Sequence, residues 1–293
     1  MDKIFINIAS YRDPTLIKTI KDALNKAKNP DRLVFAIGLQ YYKNEIPNLS
    51  FINNNQLKIL TYDVDTRPGL VKVRYELSKL VTDEKYFLMI DSHTNFEQDW
   101  DESLINEITT YGNKTVLSGF PNNLNADYRY AFYKDDITID TIMYKKDNNP
   151  LIYFVIRSFI FTYIDFLKEV GLDKHSQYIN EELYISWRIF MSGWNIFVPK
   201  VKITQHLEHR NLYLDYAWGL PPTKSRKKRV PIERFIPVSP DPYEDHLEMY
   251  KTMLTNFPGK YSVNSNIDPL EFWKLRALDF DLVKEISVKF GAK

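Results

Sequence analysis

Short apolar runs alternate with longer amphipathic ones over the first two-fifths of the chain. KIFINIA, RLVFAIGL, LKILTYDV and KYFLMI are rich in Ile, Val, Leu and Phe, are bounded by polar turns, and read as strands. Between the first two, PTLIKTIKDALNKAK carries Leu16, Ile20 and Leu24 on one stripe behind Pro14, which suits a first helical turn. GLVKVRYELSKLV and WDESLINEITTYG repeat the helical period, and KTVLSGF is a fifth strand. Strands alternating with helices of this length predict an α/β fold, a mostly parallel central sheet flanked by helices. Ligands of such sheets bind outside the carboxyl ends of the strands, and SYRD, DVDTR and DSH all fall there.

From about residue 121 the pattern loosens. NNLNADYRYAFYKDDITIDTIMYKKDNN reads as loops with a hairpin, and LIYFVIRSFIFTYIDFLKEVG as a strand followed by a short helix. INEELYISWRIFMSG is a helix with Leu183, Trp187 and Phe190 on its buried side and Gly193 as its stop. WNIFVP and KVKIT are two more short strands. PPTKSRKKRVP is a proline-flanked basic loop. After it come one helix, YEDHLEMYKTMLTNF, and a second, DPLEFWKLRALDFDLVKEISVKF, broken near its middle. The expected organisation is a catalytic-type domain over residues 1–220 and a basic loop with a helical extension over 221–293.

Composition narrows the classes. Hydrophobic residues at 44% and aromatics at 15% suffice for a core, which excludes global disorder. A net charge of +1 gives no general attraction to nucleic acid or anionic membrane, and the KSRKKR run lacks the interleaved aromatics of a nucleic-acid surface. The absence of cysteine removes disulfides, thiolate metal sites and thiol nucleophiles. MDKIFINIASYRD turns polar too early for a signal peptide, and no stretch approaches the roughly 18 apolar residues of a membrane span. A soluble, cytoplasmic protein is the expectation.

Candidate chemistry begins where the fourth strand ends, in YFLMIDSHTNF. If strand geometry persists through IDSH, Asp91 and His93 share one face and Ser92 points to the other. A hard divalent cation accepts a carboxylate and an imidazole together, with His206 in VKITQHLEHR as a candidate third ligand. Two polar residues at an ordinary turn would read the same way. The chain has no GxGxxG after the first strand and no GxxxxGK[ST], so phosphates would have to be neutralised by other means. A divalent ion could act as a Lewis acid on a diphosphate, with Arg12, Arg67 and Arg74 as candidate helpers.

Taken in order, INIASYRDP, RPGLVKVRYEL, YFLMIDSHTNFEQDWDESLI, NEELYISWRIFMSGWNIFVP and QHLEHR resemble the GlcNAc-transferase family that includes the hydroxyproline GlcNAc-transferases, glycosyltransferase family 60. The resemblance covers roughly residues 3 to 210. It implies a GT-A fold, a UDP-sugar donor with GlcNAc favoured, Mn2+ or Mg2+, a hydroxyl-bearing acceptor, and transfer with retention of anomeric configuration. The DSH stretch is also similar to that of the polypeptide GalNAc-transferases. Carried across, Asp91 and His93 are the metal pair and His206 the distal ligand. Ser10, Tyr11 and Arg12 line the uridine pocket, Ser92 belongs to the donor site, and Arg74 approaches the diphosphate. Glu181 and Glu182 match the paired acids near sugar and acceptor. Thr94 and Asn95 stand where the family has methionine and arginine, Glu208 where an aromatic is usual, and Asn180 where glycine is common. These departures bear on donor sugar and acceptor more than on reaction type.

Two glutamates in a first helical turn are also favoured by the helix dipole alone, with Asn180 as an N-cap. As catalytic groups they would serve as nucleophile or as stabiliser of an oxocarbenium-like centre, unless the leaving phosphate itself takes the acceptor proton. Trp187 lies on the apolar stripe, His209 is an alternative to His206 if the register slips by three residues, and His175 sits in a polar connector. A nucleotidyltransferase that makes the activated sugar is the alternative enzyme. SYRDP is neither Gly-rich nor basic, as its phosphate loop would be. An inactive relative that binds a partner through the same cleft is the non-enzymatic alternative.

Overall fold

A computed structural model describes residues 1–66, 68–119, 126–132, 139–145, 150–156, 159–175, 181–200, 203–206 and 242–291. For 126–132, 139–145, 242–246, Asp65 and His206 the backbone alone is described. Arg67, Asn180, Glu208, His209 and the basic loop lie outside the described residues.

Four parallel strands form one half of the sheet: β1 (Ile4–Tyr11), β2 (Leu33–Tyr41), β3 (Leu57–Asp63) and β4 (Tyr86–Asp91), arranged β3-β2-β1-β4. β1 and β2 are covered on both faces, which is why their sequences are continuous apolar runs. β3 is the edge strand and alternates between half-buried and exposed positions. The period of two divides the core. Ile4, Ile6, Ile8, Phe35, Ile37, Leu88 and Ile90 pack on one face with α1 (Leu16–Lys26) and α3 (Trp100–Ile108). Phe5, Ala9, Ala36, Phe87 and Met89 pack on the other with α2 (Leu70–Ser78) and α5 (Glu181–Met191).

Past β4 the order departs from the chain. β10 (Ile160–Tyr163) runs antiparallel between β4 and β6 (Thr115–Leu117), and β11 (Asn195–Phe197) and β9 (Leu151–Ile152) complete eight strands. β3, β2, β1, β4, β6 and β11 therefore run one way, β10 and β9 the other. The stretch expected to hold one strand and a short helix holds two strands and then α4 (Phe166–Glu169). Between the two strands only Arg157 and Ser158 interrupt the apolar run, and no Gly, Pro, Asn or Asp marks a turn. β7 (Ala126–Phe132) and β8 (Ile139–Lys145) form the hairpin.

A second, two-stranded sheet pairs β5 (Thr94–Phe96) with β12 (Thr204–His206) antiparallel, placing His206 opposite Thr94. At the other end of α5, Gly193 adopts φ +71, the left-handed stop that glycine allows without a Cβ clash. The C-terminal residues form α6 (Pro242–Thr255), α7 (Pro269–Arg276) and α8 (Phe280–Lys289). The expected break falls at Ala277 in extended backbone, and Asp279 caps the next helix by accepting from the Leu282 amide at 2.9 Å. Met253, Phe272 and Trp273 join the same core as Phe5 and Phe87. Among the described residues no helix is long and apolar enough to cross a membrane.

Candidate active site

The ends of β1, β2 and β4 meet helices α1, α2 and α5 at the carboxyl edge of the sheet. β4 stops at Asp91, residues 92–93 bend, and β5 restarts at Thr94. Strand geometry does not persist through the motif, yet Asp91 Oδ2 and His93 Nε2 face each other at 3.8 Å, too far for a hydrogen bond. Helix α1 holds this bend by its polar side. The Thr19 hydroxyl donates to the Ser92 carbonyl (2.9 Å) and accepts from the Thr94 amide (3.0 Å). One turn further, Asp22 accepts from the Phe96 amide at 2.6 Å and Lys26 donates to the Phe96 carbonyl at 2.6 Å.

Asp91 divides its two oxygens. Oδ1 accepts from Arg74 Nη2 at 2.6 Å, while Oδ2 faces His93. Arg74 is 1% exposed and bridges a second carboxylate, its Nη1 lying 2.9 and 3.1 Å from the oxygens of Glu181. The α2 backbone beneath it is tied to β1 by Asn7, whose amide donates to the Arg74 carbonyl at 2.9 Å. This explains a polar residue in a fully buried strand position. Arg74 and Glu181 line a small cavity with Val71, Met89, Leu172, Asp173 and Tyr184, and its apolar members lower the local dielectric around the ion pair.

The site contains a residue that the motifs did not single out. Asp13, 4% exposed, lies in the turn after β1, where Arg12 takes φ 47 and turns the chain sharply. Asp13 Oδ1 accepts from the Thr15 amide and hydroxyl, both at 2.8 Å. Its Oδ2 accepts from the Ser92 hydroxyl and lies 3.2 Å from His93 Nδ1. The only sequence signal was its place in SYRDPT, an acid at a strand end two residues before a threonine.

The other candidates are placed as follows. Ser10 is fully buried beneath Tyr41, and the two hydroxyls meet at 2.8 Å. Tyr41 donates to the Asp13 carbonyl at 3.0 Å, so Ser10 is the donor of that pair. Burial pushes the Tyr41 phenol up to about 12. Tyr11 is half-buried at the end of β1. Arg12 forks onto Glu45 (Nε–Oε2 2.7 Å, Nη2–Oε1 2.8 Å) and lies over the Tyr42 ring at 4.9 Å. Glu182 stands beside Glu181 on the first turn of α5, its carbonyl accepting from the Ser186 hydroxyl. Trp187 and Trp194 are buried in the core, and His175 packs edge-on to Tyr261.

The donor set fits a small divalent cation. One carboxylate oxygen and one imidazole nitrogen lie 3.8 Å apart, and each candidate ligand is fixed from behind, Asp91 by Arg74 and His93 by Asp13. Among the described residues no three His, Asp or Glu side chains gather as ligands. The third candidate, His206, is described by its backbone, which lies in register with the residue following His93.

Comparison with known proteins places this geometry in context. The family profile described as Glycosyltransferase (GlcNAc) matches residues 3–60 and 48–216. No curated protein matches in sequence. Among solved structures, the crystal structure of GalNAc-T7 with UDP, GalNAc and Mn2+ superposes with a TM-score of 0.58 at 14% identity, over 98% of this chain and 54% of that one. The chain thus spans about half the length of that relative, which shares its GT-A fold. TarS 1-349 of S. aureus aligns over 69% of this chain and 59% of its own at 13% identity, with a TM-score of 0.43, too weak a likeness to build on.

Proposed function

The chain belongs to the Glycosyltransferase (GlcNAc) family, and on that premise we propose that it moves GlcNAc from UDP-GlcNAc to a hydroxyl acceptor with retention at the anomeric carbon. Mn2+, or Mg2+ in its place, would be held by Asp91, His93 and His206. The observation that carries this reading is the continuous chain Glu181–Arg74–Asp91–His93–Asp13 at the carboxyl ends of β1 and β4. The neighbour with UDP, GalNAc and Mn2+ supports a UDP-sugar donor and a divalent ion for the same fold.

A cation held by Asp91, His93 and His206 would supply Lewis-acid stabilisation of the charge that builds on a leaving diphosphate. The chain's own residues do the rest. Asp91 and His93 provide unlike ligands on one short bend, and α1 keeps that bend from relaxing. Arg74 joins the metal side to the helix that carries the paired glutamates, so the distance between Asp91 and Glu181 is set by one buried guanidinium. A carboxylate clamped through both oxygens by Arg74 is a weaker nucleophile than one in water. That favours Glu181 as an electrostatic stabiliser of the oxocarbenium-like sugar, with Glu182 as a second acid on the same turn. Under that assignment retention proceeds by attack on the face of departure. The acceptor class is a hydroxyl, on a protein, a glycan or a small molecule.

The test is UDP release from a panel of UDP-sugars with Mn2+, with and without EDTA. UDP-GlcNAc is expected to be turned over fastest, chelation to abolish release, and Asp91→Asn to reduce it at least 100-fold, an order-of-magnitude expectation for the loss of a charge-stabilising contact. Turnover that survives EDTA, or that is unchanged in Asp91→Asn, would sink the metal-dependent reading.

A further inference from the structure

We infer that Asp13 is a positioning residue for the cation site: it fixes His93 as the Nδ1–H tautomer and aims Nε2 at the point shared with Asp91. This rests on the reading of Asp91 and His93 as cation ligands.

A carboxylate offers about four lone-pair sites and no hydrogen. Among the described residues four partners converge on Asp13: the Thr15 amide and hydroxyl on Oδ1 at 2.8 Å each, the Ser92 hydroxyl on Oδ2, and His93 Nδ1 at 3.2 Å from Oδ2. As a carboxylate Asp13 has no hydrogen to give, so each partner, the Thr15 amide, the two hydroxyls and His93 Nδ1, must bring its own. Nδ1 therefore carries the proton. In the neutral ring the lone pair then sits on Nε2, the nitrogen that faces Asp91 Oδ2 at 3.8 Å. A carboxylate behind a ligating histidine both selects the ring nitrogen and orients the ring.

The turn is built to hold that arrangement. Asp13 is 4% exposed, so water does not compete for its oxygens, and the Tyr41 hydroxyl anchors the same residue's carbonyl at 3.0 Å. Ser92, the residue between the two ligands, donates to the same oxygen as His93. The middle residue of the motif thus ties the metal bend to the end of β1.

Asp13→Asn tests this with almost no change of shape. Asparagine keeps an oxygen for Thr15 but places an amide donor where Oδ2 stood, so His93 must accept at Nδ1 and carry its proton on Nε2, where it cannot ligate. In metal-free full-length protein labelled with 15N-histidine, long-range 1H–15N correlation reports the tautomer directly, with the His93 signal assigned by its loss in His93→Asn. Mn2+ uptake, with the metal alone as probe, is read by electron paramagnetic resonance of the free ion. We expect the Nδ1–H form in the parent chain, the Nε2–H form in Asp13→Asn, and Mn2+ affinity weakened roughly 10–100-fold in the variant. An Nε2–H tautomer in the parent chain would overturn the inference even if the variant fails to fold. Folded Asp13→Asn with unchanged Mn2+ affinity would overturn it while leaving the cation site standing. A parent chain with the Nδ1–H form but no Mn2+ uptake would overturn the metal reading and this inference with it.

Discussion

At the scale of single residues, the site is a relay of charges whose members lie far apart in sequence. Arg74 is held between Asp91 and Glu181, separated from them by 17 and 107 positions. A buried guanidinium between two carboxylates is strong only because all three are hydrogen-bonded, and removing one partner strands the others. Tyr41 is a neutral neighbour of the same turn, bonded to Ser10 and to the Asp13 carbonyl. Its phenol, raised to about 12 by burial, stays protonated in the fold when an unfolded tyrosine, at 10.0, has begun to ionise. The unfolded state then loses protons first, so this contribution to stability is full below pH 10 and is lost as pH rises through about 12. Urea unfolding between pH 9 and 11.5 checks it: Tyr41→Phe is expected to show a shallower decline than the parent chain. Tyr184, also pushed up to about 12 by burial, accounts for part of the slope that remains.

At the scale of elements, α2 matters most because it delivers Arg74, and it lies close on β2. A Cβ added at Gly38 would come within 2.2 Å of Val73 Cγ1 and 3.3 Å of Leu77 Cδ1, both on α2. Glycine at that strand position is therefore a requirement of helix–sheet approach. Gly38→Ala is expected to cost about 1–3 kcal/mol through overpacking, read as a lower urea midpoint with an unchanged slope. Lifting α2 also draws Arg74 from Asp91, so Mn2+ affinity is expected to change in the same variant. A folded variant with parental stability would show that α2 has slack. Helix α1 works differently: its apolar side, Leu16, Ile20 and Ala23, packs on the sheet, while Thr15, Thr19, Asp22 and Lys26 bond the turn and β5.

At the scale of the whole molecule, the C-terminal helices are part of the support for α5. The Tyr184 hydroxyl donates to the Tyr261 carbonyl at 2.6 Å, the Trp273 indole to the Met253 carbonyl at 2.8 Å, and Phe190 meets Phe272 edge-on with ring centroids 5.5 Å apart. Trp273, fully buried in the core that also holds Phe5 and Phe87, is expected to cost about 3–5 kcal/mol when truncated to Ala. Because that core runs from the sheet into the last helices, unfolding followed by tryptophan fluorescence and by far-ultraviolet circular dichroism should coincide in one transition. Two separated transitions would mean that the C-terminal helices unfold independently of α5.

Local pattern was sufficient for much of this. The short apolar runs KIFINIA and KYFLMI between polar turns, the stripe Leu16–Ile20–Leu24, the stop at Gly193 and the break before Asp279 are properties of neighbouring residues, and they marked strands, helices and ends. The motif DSH could be found for the same reason, since its two candidate ligands are separated by a single residue in the chain. Tertiary structure decided what contact order hides. β10 enters antiparallel between β4 and β6, where backbone pairing rather than residue type sets direction. Asp13 reaches His93 across 80 positions, and Arg12, expected at the nucleotide, is forked onto Glu45. A carboxylate in a strand-end turn looks the same in sequence whether it faces water or an imidazole. Only the folded chain brings the four donors to it.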